Sequence, residues 1–221
     1  TPSTPINIMK ITKIGHCCLI LEMNGVRIMT DPGSYSSGQE LAKNIQAVLI
    51  THEHQDHLHI ESVKKIIENN PGVRIITNKS VGNILDGEGI SYDIVEHGNE
   101  TSVEEVRIEG FGKKHTLIHP LWPTVQNTGY LIDEKLFYPG DSFYRIKKPV
   151  SVLALPIAGP WMKISEAIDY AETIKPDICF PVHDGGLKDS ASGLVTRLPT
   201  VLLAKAGIKF VPLKSGETTE F

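Results

Sequence analysis

Alternation of apolar and polar positions begins at Met9, in MKITKIGHCCLILE, and predicts a strand over residues 11 to 22. Asn24-Gly25 is a two-residue hairpin signal, since both residue types accept the positive φ of a type I′ turn, and VRIMT at 26 to 30 is the returning strand. A loop rich in Ser and Gly leads to AVLIT at 47 to 51, a short apolar run with the length and flanks of a buried strand. The period then changes. Ile60, Val63, Ile66 and Ile67 share one face of a helix over 60 to 72, which Pro71-Gly72 stop.

A strand at Val73 to Thr77 and a short helix near Ser80 to Leu85 follow. Period-two runs in ISYDIVEHG, SVEEVRIEGFG and TGYLIDEKLFY predict hairpins of a second sheet. VSVLALPI and DICFPVHD are further apolar strands, separated by the helix SEAIDYAETI, which Ser165 is placed to cap. SGLVTRLPTVLLAKAG is helical in pattern with a break or start expected at Pro199, and IKFVPL closes the sheet. Strands and helices mix throughout, without repeats or a long linker, which makes this an α/β chain of layered sheets with outer helices. TPSTPINI is Pro-rich and unpatterned, so residues 1–8 read as an expression remnant or short extension, with Met9 the native start of one domain over 9–221.

Composition narrows the class of function. The 221 residues are 40% hydrophobic and 22% charged, as in an ordinary globular protein, and 22 basic against 26 acidic residues leave no overall footprint for nucleic acid. No apolar run is long enough to span a membrane and the amino-terminal residues lack the pattern of a signal peptide, so the expected location is cytoplasmic. Three cysteines, with Cys17 and Cys18 adjacent in the first strand, read as buried thiols in a reducing compartment.

The chemistry concentrates in ITHEHQDHLH, residues 50 to 59, where four histidines and two acids fall within ten positions. His52 and His54 are two apart and point to one side of an extended segment, while Asp56 and His57 follow as the chain turns. Imidazole nitrogen and carboxylate oxygen suit zinc, manganese or iron, and the cluster holds no cysteine, the softest ligand. A closed structural zinc site usually includes cysteine, so this set leans toward an open, catalytic one. A loop whose histidines merely cap the following helix is the plain alternative; the carboxylate among four histidines argues against it.

THEHQDH resembles the HxHxDH signature of the metallo-β-lactamase superfamily, and the other landmarks stand in the family's order: GHCCLILE, TDP with Asp31, GKKH with His115, YPGDS with Asp141 and FPVHD with His183. The resemblance covers nearly the whole chain from Met9. It implies a four-layer αββα sandwich with a dinuclear site at one edge. His52, His54 and His115 would bind one ion, Asp56, His57 and His183 the other, and Asp141 would bridge them. Each of His115, Asp141 and His183 ends a predicted strand. His119 is the rival of His115 for the third histidine, and is expected in a loop near the pocket. His16 is either a structural histidine or close to substrate, Asp31 resembles the family's acid that orients a metal-ligand histidine, and His59 and His97 are surface or helix-terminal residues.

The resemblance implies hydrolysis by a hydroxide held between two divalent ions, zinc first and manganese or iron as alternatives, with Asp56 orienting the nucleophile and returning a proton to the leaving group. Asp141 argues against the antibiotic-hydrolysing members, whose second site commonly lacks the bridging acid. LALPIAGPWMKISEAIDYAETIKPDICFPVHDG resembles the stand-alone branch that includes ascorbate-phosphate lactonase-like and phospholipase D-like proteins. The expected substrate is therefore a small-molecule ester, lactone or phosphodiester. Trp122 and Trp161 are candidates for an apolar wall, and Arg145, Lys147 and Lys148 for an anion contact; packed core and a solvated loop are the plain alternatives. An iron-dependent oxidoreductase and a non-catalytic binding protein are the other classes, and the filled ligand positions rank the second of these last.

Overall fold

The computed structural model describes residues 8 to 221, so the reading of residues 1 to 7 falls outside the described residues. In chain order the first half contains β1 (Lys10–Lys13), β2 (Leu19–Met23), β3 (Val26–Thr30), β4 (Ala47–Leu49), α1 (Ile60–Asn69), β5 (Arg74–Thr77), α2 (Lys79–Gly87) and β6 (Asp93–Ile94). The rest contains β7 (Glu100–Val103), β8 (Val106–Phe111), β9 (Gly129–Ile132), β10 (Leu136–Tyr138), β11 (Val152–Pro156), α3 (Ile164–Ile174), β12 (Ile178–Val182), α4 (Asp189–Lys205), β13 (Lys209–Phe210) and β14 (Thr218–Glu220). They form two seven-stranded sheets, ordered β14-β1-β2-β3-β4-β5-β6 and β13-β12-β11-β10-β9-β8-β7.

Strand alternation sorts side chains into layers. Leu19, Leu21 and Ile28 face Tyr130, Ile132 and Ala154 between the sheets, while Ile20, Met29 and Val48 turn outward under Val63, Ile66, Val81 and Leu85 of α1 and α2. Leu131, Phe137, Leu153 and Leu155 turn the other way, under Ala167, Ile168 and Ala171 of α3 and Leu203 of α4. Helices therefore cover both outer faces, giving the expected αββα sandwich.

The structure corrects several local expectations. The strand over 11 to 22 is two antiparallel strands, because Ile14 N–H bonds to Cys18 O at 2.9 Å and the chain turns at Gly15 and His16. The ISYDIVEHG run contributes its one strand, β6, to the first sheet, parallel to β5. Ser165 does not cap α3: Lys163 is the N-cap, and the Glu166 carboxylate accepts its N–H at 2.6 Å. α4 runs through Pro199. Proline inside a helix costs about 3 kcal/mol, and packing of Leu203, with Val195, Leu198 and Leu202 partly buried, against the second sheet outweighs that local preference. The Asn24-Gly25 turn forms as expected, with φ of 51° and 77°.

Candidate metal centre

Parallel strands β3, β4 and β5, and on the other sheet β10, β11 and β12, deliver their carboxyl ends to one edge of the sandwich. Asp31 follows β3, His52 follows β4, Asp141 follows β10 and His183 follows β12. The 50–59 loop folds tightly there, with His57 N–H and Leu58 N–H both donating to His54 O at 2.9 and 2.8 Å. Gly33 lets the Asp31 turn lie against this loop: a Cβ on it would stand 1.8 Å from Asp56 O. His115 sits four residues beyond the end of β8 and not at a strand end; His115 N–H to Val125 O at 3.0 Å and Thr116 N–H to Asp141 O at 2.8 Å hold it instead.

Asp31, fully buried and at φ 34°, organises the ring orientations. Its Oδ2 takes hydrogen bonds from His57 Nδ1 at 2.7 Å, Thr51 Oγ1 at 2.8 Å and Tyr138 OH at 2.7 Å, and its Oδ1 takes Thr51 N–H at 2.8 Å. Because the Thr51 hydroxyl donates to Asp31, its oxygen accepts from His52 Nδ1 at 3.0 Å. One carboxylate thereby places the protons of His52 and His57 on Nδ1 and frees both Nε2 atoms for an ion. His115 Nδ1 donates to its neighbour Thr116 O, with the same consequence.

Asp141 faces both groups of histidines. Its Oδ2 lies 2.8 Å from His183 Nε2, 3.2 Å from His115 Nε2 and 3.9 Å from His52 Nε2, and its Oδ1 lies 3.1 Å from His57 Nε2. Among the described residues, His183 Nδ1 is buried without a hydrogen-bond partner, and the carboxylates within 4 Å of His57 Nε2 and His183 Nε2 are those of Asp56 and Asp141. Buried imidazole nitrogens gathered about a buried carboxylate are costly to leave without a charge partner, and the Nε2 atoms of His57 and His183 beside Asp141 fit a cation. Donor atoms of His52, His54, His115 and Asp141 also lie within 4.8 Å of one another.

The charges of these groups are strongly perturbed. Burial opposes protonation of His57 and His183, yet Asp141 and their other neighbours hold both well above the ordinary histidine range. His52 is pushed well below it, and His54 lowered, first by burial. Burial works against ionisation of Asp56, but bonds to His16 and His183 hold it far below the usual carboxylate range; Asp141 is lowered as well, chiefly by His57 and His183. Such clustering is typical of functional sites.

A model of the family described as beta-lactamase superfamily domain matches residues 10–183. The chain belongs to the metallo-β-lactamase superfamily. Protein Rv0786c of Mycobacterium tuberculosis is 34% identical over 84% of this chain and 89% of its own length, and a UPF0173 metal-dependent hydrolase of Carboxydothermus hydrogenoformans is 25% identical over 79% and 84%. Among solved structures, Igni18, a metallo hydrolase of Ignicoccus hospitalis, shares the fold at a TM-score of 0.76 and 21% identity, covering 97% of this chain and 98% of that one.

In this superfamily member His54, His115 and His183, with Asp56 and Asp141, open onto a cavity of about 370 Å³, a small-molecule size, with Tyr35, Ile118, Trp161 and Leu187 in its wall. His16 borders it: Gly185 N–H donates to His16 Nδ1 at 3.0 Å, which leaves the ring proton on Nε2, 3.2 Å from Asp56 Oδ2. Other expected residues are not brought there. His119 is exposed, its Nδ1 accepting Leu121 N–H at 3.2 Å, and Trp122 is 62% exposed. Arg145 and Lys147 are exposed, and Lys148 pairs with Glu109 at 2.5 Å. His59 is the N-cap of α1, and exposed His97 accepts Gly112 N–H. The sequence reading missed the support of Thr51 and Tyr138 to Asp31, and it missed Cys17, which lies beside His57 and His183. The signal for Cys17 was its place after His16, once GHCC is read as a turn and not as strand.

Proposed function

We propose that this chain is a metal-dependent hydrolase of a small-molecule ester, lactone or phosphodiester, built as one domain over residues 9–221. His52, His54 and His115 would hold one divalent ion, Asp56, His57 and His183 a second, with Asp141 shared. The observation that carries the reading is the place of Asp141, within 2.8–3.9 Å of nitrogens from both histidine groups. Two such ions, zinc first and manganese or iron by the same ligand chemistry, would supply a water of hydroxide strength near neutral pH and polarise the bond under attack. Asp56 faces the cavity, where its carboxylate would orient the nucleophile and pass a proton to the leaving group. His16 donates to Asp56 and fixes the carboxylate, while the apolar wall excludes water around the substrate. Three free, buried cysteines suit a reducing, cytoplasmic setting.

The test is metal content of protein purified without chelator, followed by turnover of phosphodiester and lactone panels. About two ions per chain, with hydrolysis lost in Asp56→Ala, is the expected result. A single iron with oxygen consumption and no hydrolysis would move the chain to the oxidoreductase class.

A further inference from the structure

Cys17 stands on the His57 and His183 side of the centre. One donor atom from each of His16, Cys17, His57 and His183 lies within 4.8 Å of the other three, and all four side chains are buried. His16 is already committed, its Nδ1 to Gly185 N–H and its Nε2 to Asp56. That leaves the sulfur with two rings, His57 fully buried and His183 5% exposed, whose Nε2 atoms lie 3.1 and 2.8 Å from Asp141 oxygens, and His183 Nδ1 is buried with no hydrogen-bond partner among the described residues. The position is rigidly based, because Cys17 O accepts from Thr30 Oγ1 at 2.8 Å and lies 2.8 Å from the Tyr138 hydroxyl that is shared with Asp31. The two neighbouring thiols diverge: Cys18 faces the outer layer under α1, whereas Cys17 sits at the top of the layer between the sheets. Cys179 lies in the layer under α3 and α4.

We propose that Cys17 Sγ is a ligand of the ion held by His57 and His183, approaching from the core side and leaving the cavity side to substrate. The inference rests on the two-metal reading above. The thiol proton passes to solvent as the metal–sulfur bond forms, and nothing is oxidised or reduced. A sulfur donor there makes this position select zinc or cobalt over manganese, because thiolate is the softest ligand in the set.

The experiment loads the purified full chain with cobalt(II), determines cobalt per chain, and records the absorption spectrum of the wild type, Cys17→Ser and Cys18→Ser. The expected wild-type spectrum has an intense near-ultraviolet sulfur-to-cobalt charge-transfer band, lost in Cys17→Ser and kept in Cys18→Ser. Zinc X-ray absorption on the wild type needs no variant, and should show a sulfur at about 2.3 Å beside nitrogen and oxygen at about 2.0–2.1 Å. Two cobalt ions per chain with no such band, or a band that survives Cys17→Ser, overturns the assignment while leaving the two-metal centre standing. A chain that takes up no cobalt or zinc overturns both.

Discussion

The Asp31 carboxylate and the His57 Nδ1 lie 2.7 Å apart in a fully buried pair, and the same oxygen receives Thr51 and Tyr138 hydroxyls. Removing the negative charge while keeping the shape isolates what that bond does. Asp31→Asn should weaken metal retention at the His57 side by about 10- to 100-fold, read by chelator competition. Unchanged retention would mean that ring orientation is set by packing alone.

Gly33 and the Asp56 loop are in backbone contact, with no flexible side chain to yield. Gly33→Ala should cost at least about 3 kcal/mol and reduce bound metal, the upper end of overpacking effects. Gly193→Ala is the contrast: nothing lies near its Cβ position in α4, and alanine there should stabilise by about 0.5–1 kcal/mol. Equal thermal midpoints for the two variants would contradict the contact.

Lys13 is buried on β1, yet its ammonium reaches Asp184 at 2.6 Å and the carbonyls of Pro181 and Leu213 at 2.9 and 3.2 Å. It ties the first sheet to the turn that carries His183, whose φ is 61°. Lys13→Met leaves those acceptors unpaired. With Asp184 21% exposed, the loss should be near the lower end for broken buried pairs, about 3 kcal/mol. Adding Asp184→Leu should recover part of it in urea unfolding, and a double variant no better than the single would count against the pairing.

Stability without metal should peak near the ordinary histidine value. His57 and His183 are raised because Asp141 and other neighbours outweigh burial, so their contribution is complete below about pH 6.5 and is lost as pH rises through the raised folded values. His16, His52 and His54 are lowered, by burial first, so stability also falls as pH drops below about 6.5 through their folded values. Zinc requires neutral rings and should abolish the alkaline loss. Calorimetry of chelated and loaded protein across about pH 5 to 9 tests this; a metal-free midpoint still climbing at the alkaline end would refute it.

Much of this was legible in the chain because it is local. The Asn24-Gly25 turn, the 3.6-residue face of α1 and the crowding of His52, His54, Asp56 and His57 each depend on neighbours within a few positions. What escaped was set by distant partners. Pro199 marks a break by its own chemistry, yet the apolar face of α4 carries the helix through. His119 and His115 differ little as residues in a loop, and the backbone bonds of His115 to Val125 and of Thr116 to Asp141 select which ring points inward.

The sequence by itself determined the alternating layers, the class of fold and the donor types that a hard or borderline cation needs, since these follow from hydrophobic period and side-chain chemistry. Tertiary structure alone decided that Asp31 sets the tautomers of two histidines, that His16 serves Asp56, and that Cys17 and not Cys18 meets His57 and His183. The reason is physical: hydrogen-bond direction and donor convergence act over a few ångströms, and only the pairing of two sheets brings residues so far apart in the chain within that range.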